Sequence, residues 1–234
     1  MSFIDTAFSN LYFLGVLSAT IAVVLSRKIF PAIIYLSNTK NLMDVPGERS
    51  MHTHKTATLG GVGVFITFSL TLILFGLIVK LTVTDFAQLI SLLFGIIILL
   101  FLGIKDDLLV LSAQKKLVGQ IIAASVVVIL GEVRISSLGG LLGIGELAPI
   151  VSVIFTILTF VFIINAFNLA DGIDGLAGSI AILSSTIFGI YFLVNSNYLM
   201  ALVSFILIGS LISFLYFNLS KDHKIFMGDS VQCL

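Results

Sequence analysis

The chain has little charge, a single cysteine and no tract of low complexity. Only 10% of its 234 residues are Asp, Glu, Lys or Arg, and the formal net charge is zero. Soluble domains carry about 25% charged residues, so this scarcity excludes an ordinary water-soluble globule. The zero balance also argues against a nucleic-acid partner. One cysteine, Cys233, excludes an internal disulfide and a thiolate metal cage. The first apolar stretch, starting near Tyr12, has no basic segment before it and no small-residue cleavage signal. It reads as a retained helix, not a removed signal peptide. No internal repeat or linker divides the chain, which reads as one domain over 1–234.

What is present is apolar: 59% hydrophobic residues and a mean hydropathy of +1.21. A bilayer is crossed by about 20 apolar residues in a helix. The pattern predicts spans at roughly 11–30, 59–79, 86–104, 117–131, 149–167, 177–194 and 198–217. The fold class is therefore all-α, a polytopic integral membrane protein of about seven transmembrane helices. The fourth span is short, and its helix is expected to begin within the preceding basic loop. The connection 131–148, GEVRISSLGGLLGIGELA, alternates Val133 and Ile135 before Gly139-Gly140. That pattern suits a short external hairpin on the membrane surface.

Seven alternating spans bring the loops 37–58, 105–116, 168–176 and 218–230 to one face. Arg27, Lys28, Lys40, Arg49, Lys55, Lys105, Lys115, Lys116, Lys221 and Lys224 fall on that face, against Lys80 and Arg134 on the other. The positive-inside rule makes the richer face cytoplasmic and puts the N-terminus outside. The setting expected is a cell's inner (plasma) membrane, with surrounding lipids as partners.

The same loops carry the carboxylates, in DVPGERSMHTHK (44–55), KDD (105–107), NAFNLADGIDGLAG (165–178) and KIFMGDS (224–230). Carboxylates are costly near a bilayer, so four acidic segments on one face point to a single site. A transporter or channel would place acids near span midpoints. Here the spans are almost free of them, which favours surface catalysis over conduction.

Each segment suggests a chemistry. Asp106 and Asp107 are adjacent like charges, and sharing a cation relieves their repulsion; the plainer reading is a loop boundary. Lys115 and Lys116 serve the positive-inside bias, or hold an anionic lipid headgroup beside those carboxylates. Asn165, Asn168, Asp171 and Asp174 recur at three-residue steps, which share one face of a helix end. Their glycines let backbone approach a ligand, and an Asp-x-x-Asp pair binds Mg²⁺ through water or accepts hydrogen bonds from a sugar or base. A polar cap and turn is the alternative, but it leaves two amides and two carboxylates on an apolar span unexplained. The first loop sets Arg49, His52 and Lys55 before Gly60-Gly61, a suitable place for phosphate at a helix start. His52-x-His54 has the look of a zinc pair but lacks a third ligand nearby. Asp229, after Gly228, is a candidate metal ligand. These groups together suggest a Mg²⁺-assisted reaction on a phosphorylated substrate at the membrane surface.

The four segments, read as DVPGERSMHTHKTATLGG, DDLLVLSAQKKL, NAFNLADGIDGLAG and KIFMGDS, occur in an order over 44–230 that resembles the polyprenyl-phosphate N-acetylhexosamine-1-phosphate transferases of glycosyltransferase family 4. The likeness is to the undecaprenyl-phosphate N-acetylglucosamine-1-phosphate branch. The resemblance implies that a polyprenyl phosphate attacks a UDP-N-acetylhexosamine, UMP leaves, and a polyprenyl-diphospho-sugar starts a surface polysaccharide. It implies Mg²⁺ (or Mn²⁺) on Asp229, Asp106 deprotonating or orienting the lipid phosphate, and Asp107 assisting. Asn168, Asp171 and Asp174 would position the nucleotide sugar, with Arg49, His52 and Lys55 contacting phosphate or nucleotide. Direct displacement and a phospho-enzyme both remain open. A homo-oligomer is compatible with the resemblance.

Two departures stand out. Ala57 replaces a proline usual in the family, and Val231-Gln-Cys-Leu234 follows GDS where the family continues into further helices. The expectation is a C-terminally truncated member. The alternatives are a phospho-N-acetylmuramoyl-pentapeptide transferase of peptidoglycan synthesis and an inactive fragment.

Overall fold

The computed structural model describes residues 11–40, 43–44, 56–57, 59–79, 81–109, 111–220 and 224–226. Among these, seven helices are long and apolar enough to cross a membrane. They are α1 (Leu11–Thr39), α2 (Gly60–Ile78), α3 (Val83–Leu109), α4 (Ala113–Ser125), α5 (Pro149–Ala170), α6 (Leu176–Val194) and α7 (Tyr198–Asn218). A π-helical turn at Val126–Leu130 extends α4. Helices dominate because lipid offers no partner to backbone N–H and C=O groups, which a helix satisfies internally. The all-α, polytopic reading holds, with a two-stranded ribbon of β1 (Met43–Asp44) and β2 (Thr56–Ala57) as a small addition.

Several boundaries differ from the hydropathy pattern. The fourth helix starts at Ala113, inside the basic loop as expected. The first runs on to Thr39, through Pro31, instead of ending near residue 30. Its 29 residues make a rod of about 44 Å, longer than the roughly 30 Å hydrocarbon layer. The extension is kept helical by packing: Phe30, Ile33 and Ile34 join a core with Val64, Leu211, Phe214 and Phe217. That burial outweighs the backbone bond that proline forfeits. Arg27, within one turn of the expected exit near residue 30, stacks over the Tyr216 ring at 5.9 Å. Helix α3 likewise continues to Leu109, so Asp106 and Asp107 lie in its last turns and not in a loop.

Packing sorts the helices into two groups, α1, α2, α6 and α7 on one side and α3, α4 and α5 on the other. A largely apolar cavity of 230 Å³ lies between them, bordered by Leu99, Ala123, Phe160, Phe167, Ala177 and Leu207 among others. The tightest seam joins α1 to α7, whose Gly209 lies against the α1 backbone. A Cβ on Gly209 would meet the Ala19 carbonyl oxygen at 2.3 Å and the Ala22 Cβ at 2.8 Å. Lipid tails are as apolar as leucine, so helices in a membrane associate by such close approach and by hydrogen bonds across the seam. Ser213 donates to the Val23 carbonyl at 3.2 Å and Ser26 to the Ser210 carbonyl at 3.4 Å.

At the opposite end from the ribbon, the hairpin expected in 131–148 is present. Ser137 and Glu146 form an antiparallel bridge. Ile135 anchors it to α5, accepting from the Ser152 hydroxyl at 2.7 Å and donating to the Thr156 hydroxyl at 2.9 Å.

Gly209→Leu is expected to overpack the α1–α7 seam and destabilise the protein by about 1–3 kcal/mol. Thermal unfolding in detergent micelles measures it; an unchanged midpoint would mean that the two helices separate freely.

Candidate functional site

The polar end is tied together by one short strand. Ile225 pairs in parallel with Ala57 of β2, and the Phe226 N–H donates to the Ala57 carbonyl at 2.8 Å. The Phe226 carbonyl in turn accepts the Gly60 N–H at 3.0 Å, at the start of α2. Ile225 and Ala57 are fully buried and belong to the same core as Phe30 and Phe214. Gly60 is required by this approach: a Cβ there would lie 2.4 Å from the Phe226 oxygen. The glycine at this helix start is therefore explained by backbone contact. The phosphate expected there has one N–H donor fewer, because protein already occupies it.

The third motif follows helical geometry up to its cap. Asn165 and Asn168 lie on α5, and Asp171 is its C-terminal cap residue. Asp174 falls past the helix, in the turn before α6. Asn168 and Asp171 are half-buried and Asp174 is exposed. Asp174 pairs with Lys224 at 2.5 Å, and Lys224 also lies 5.2 Å from the Phe226 ring centre. Both partners are solvated, so the pair adds well under ~1 kcal/mol; its significance is positional. It joins the third motif to the fourth.

Asp106 is buried, unlike Asp174. Its Oδ1 accepts the Leu111 N–H at 2.7 Å and its Oδ2 pairs with Lys116 in the first turns of α4. Lys116 is part-exposed and Lys115 exposed at the same helix start. The structure thus brings Asp106 to Lys116, and Asp174 to Lys224. Backbone positions put Asp107 beside Asp106 near the end of α3. Arg49, His52, Lys55 and Asp229 lie outside the described residues, as does the side chain of Asp107.

Among the described residues no three acidic, histidine or cysteine side chains form a metal-holding group. The electrostatics still favour a cation. Asp106, Asp107 and Asp171 all stand at helix C-termini, where the helix dipole already contributes negative potential. Lys116 offsets one of these charges. Mg²⁺ typically takes one or two carboxylates together with substrate phosphates, a donor set that Asp107, Asp171 and Asp229 fit by chemistry.

Two amides in the site escaped the motif reading. Gln120, buried within α4, accepts from the Asn165 side chain at 2.8 Å and links α4 to α5. Asn218, at the end of α7, contacts both the 171–175 turn and the Ile225 strand. The available signal was a lone amide within or at the end of an apolar span, a costly residue unless it is partnered.

The family model described as glycosyl transferase family 4 matches residues 89–233. The chain is 33% identical over 199 residues to a decaprenyl-phosphate N-acetylglucosaminephosphotransferase of Mycolicibacterium smegmatis, covering 79% of this chain and 48% of that protein. It is 33% identical over 209 residues to the protein of the same name from Mycobacterium leprae, covering 83% and 52%. It is 28% identical over 198 residues to the undecaprenyl-phosphate alpha-N-acetylglucosaminyl 1-phosphate transferase of Escherichia coli K12, covering 81% and 51%. The chain spans about half the length of these curated relatives.

Lys116→Met removes one cation from buried Asp106 and is expected to cost about 1–3 kcal/mol. Adding Asp106→Asn, which keeps an acceptor for Leu111, is expected to recover most of that loss. Thermal unfolding of the single and double variants measures the coupling, and strictly additive losses would count against the pair.

Proposed function

We propose that this chain, which belongs to glycosyl transferase family 4, transfers N-acetylglucosamine 1-phosphate from its UDP-sugar to a polyprenyl phosphate in the membrane. An oxygen of the lipid phosphate bonds to the sugar-linked phosphorus, the diphosphate bond to the uridine side breaks, and UMP leaves. The product is a polyprenyl-diphospho-sugar that begins a surface polysaccharide. The observation that carries this reading is the joining of motif segments distant in sequence at one end of the bundle. Asp174 meets Lys224, and Ile225 meets Ala57. The names of the relatives support the choice of polyprenyl phosphate and of N-acetylglucosamine phosphate.

Residue roles follow from the chemistry of each place. Lys116 and Lys115 attract the lipid phosphate, and Asp106 orients or deprotonates it with Asp107 beside it. Asn168, Asp171 and Asp174 hold the nucleotide sugar, with Arg49, His52 and Lys55 toward phosphate or nucleotide. Asp229 holds Mg²⁺ (or Mn²⁺), which when bound neutralises diphosphate charge. Phosphoryl transfer works mainly through positioning and charge stabilisation, so this short list suffices. The protein is a multi-pass membrane protein. Its excess of Lys and Arg on the motif side supports a cytoplasmic site, an external N-terminus and an inner (plasma) membrane setting.

Membranes carrying this chain, given labelled UDP-N-acetylglucosamine and a polyprenyl phosphate, are expected to make labelled lipid and UMP with Mg²⁺ but not with EDTA. UDP-muramoyl-pentapeptide is expected to be the poorer donor. Absence of transfer from either donor would overturn the activity assigned to this chain. Asp229→Asn is expected to lower turnover on the order of 100-fold or more with unchanged expression. Full turnover in that variant would remove Asp229 from the metal site. Single cysteines placed beside Asp106, Asp171 and Asp229 in a Cys233→Ser chain are expected to label only from the cytoplasmic side. Opposite sidedness at any of them would break the single-site reading.

A further inference from the structure

Asn218 belongs to none of the chemical roles above, yet it is buried between two of the motif segments, only 3% exposed. Its Oδ1 accepts the Gly175 N–H at 2.8 Å, and its Nδ2 donates to the Ile225 carbonyl at 2.9 Å. The two partners dictate the orientation of the amide, because an N–H requires an acceptor and a C=O requires a donor. One end of the group therefore holds the 171–175 turn. The other holds the strand that continues in sequence to Asp229.

Between Gly175 and Ile225 the covalent path runs through all of α6 and α7. The strand is held on its other side by the Phe226 hydrogen bonds to Ala57 and Gly60. Toward the turn it is held by this amide and by the Asp174–Lys224 pair, which is weak. We propose that Asn218 is a positioning residue for the transferase reaction. It sets the separation between the turn that takes the nucleotide sugar and the strand that leads to the metal ligand. The role in transfer rests on the functional reading above; the spacing itself does not. Reactions governed by positioning are sensitive to it, with a displacement of about 1 Å costing on the order of 100-fold. Aspartate at 218 would keep an acceptor for Gly175 but set oxygen against the Ile225 carbonyl, and leucine would serve neither partner.

The test uses the full chain in lipid nanodiscs, with Cys233→Ser as the cysteine-free parent. A reporter pair, Asp174→Cys with Lys224→Cys, is oxidised and the rate of disulfide formation followed. With Asn218 present the pair is expected to cross-link rapidly; with Asn218→Asp or Asn218→Leu the rate is expected to fall at least about fivefold, on the scale of one lost buried hydrogen bond. Equal rates in a folded variant overturn the proposal. So does failure of both variants to fold, which would make Asn218 a determinant of stability instead.

In the parent without the reporter pair, Asn218→Asp is expected to raise the KM for UDP-N-acetylglucosamine about tenfold and to raise the Mg²⁺ concentration needed for half-maximal rate. These changes follow a loss equivalent to about 1.4 kcal/mol. Destabilisation alone would lower apparent kcat with KM unchanged, and that result also overturns the positioning role. Absence of UMP release from the parent would defeat the transferase reading, while the cross-linking rates would still decide whether Asn218 sets the spacing.

Discussion

Negative charge held at helix ends that are already negative is the constraint on which the polar end of this bundle depends. Asp106 and Asp107 close α3, and Asp171 caps α5. Asp106 is buried there and Asp171 half-buried, so the negative helix end bears directly on their charge. Lysine at the start of α4 answers one charge directly. The rest of the end is arranged around the same need, with Lys224 brought to Asp174 and a buried strand fastening the segment that precedes Asp229. Carboxylates gathered at negative helix ends make this end of the bundle a favourable electrostatic setting for cations.

The parts of the fold governed by hydropathy could be read from the sequence. Seven apolar stretches became seven helices, and the glycine-marked connection after Leu130 became a hairpin. The misjudged limits share one cause. Hydropathy reports where lipid ends, whereas a helix ends where its packing ends. Phe30, Ile33 and Ile34 keep α1 helical well past its lipid-facing part, against the local signal of Pro31.

At the site, the acidic motifs were visible because carboxylates are conspicuous beside apolar runs. Asn218 and Gln120 were not, because an amide reveals its value only through the groups on both sides of it. Gly60 was visible but misread: its lack of a side chain admits the Phe226 carbonyl, and sequence spacing gives no hint of a contact made across more than 160 positions. Ala57 is similar. Its carbonyl holds Phe226 and its small side chain is enclosed in the core beside Ile225.

The pairing of Ala57 with Ile225 also sets an order of assembly. A ribosome delivers residue 57 long before residue 225; at about 5–20 residues per second the interval is on the order of ten to thirty seconds. During that interval β2 can pair with β1 but not with Ile225, and the Gly60 N–H lacks the Phe226 carbonyl, although α1 and α2 can already lie in the membrane. The contacts of Ala57 and Gly60 with Ile225 and Phe226 form only after α7 has been made. A nascent chain halted before α7 would therefore be membrane-bound without the contact that fastens β2 and the start of α2 to residues 225–226.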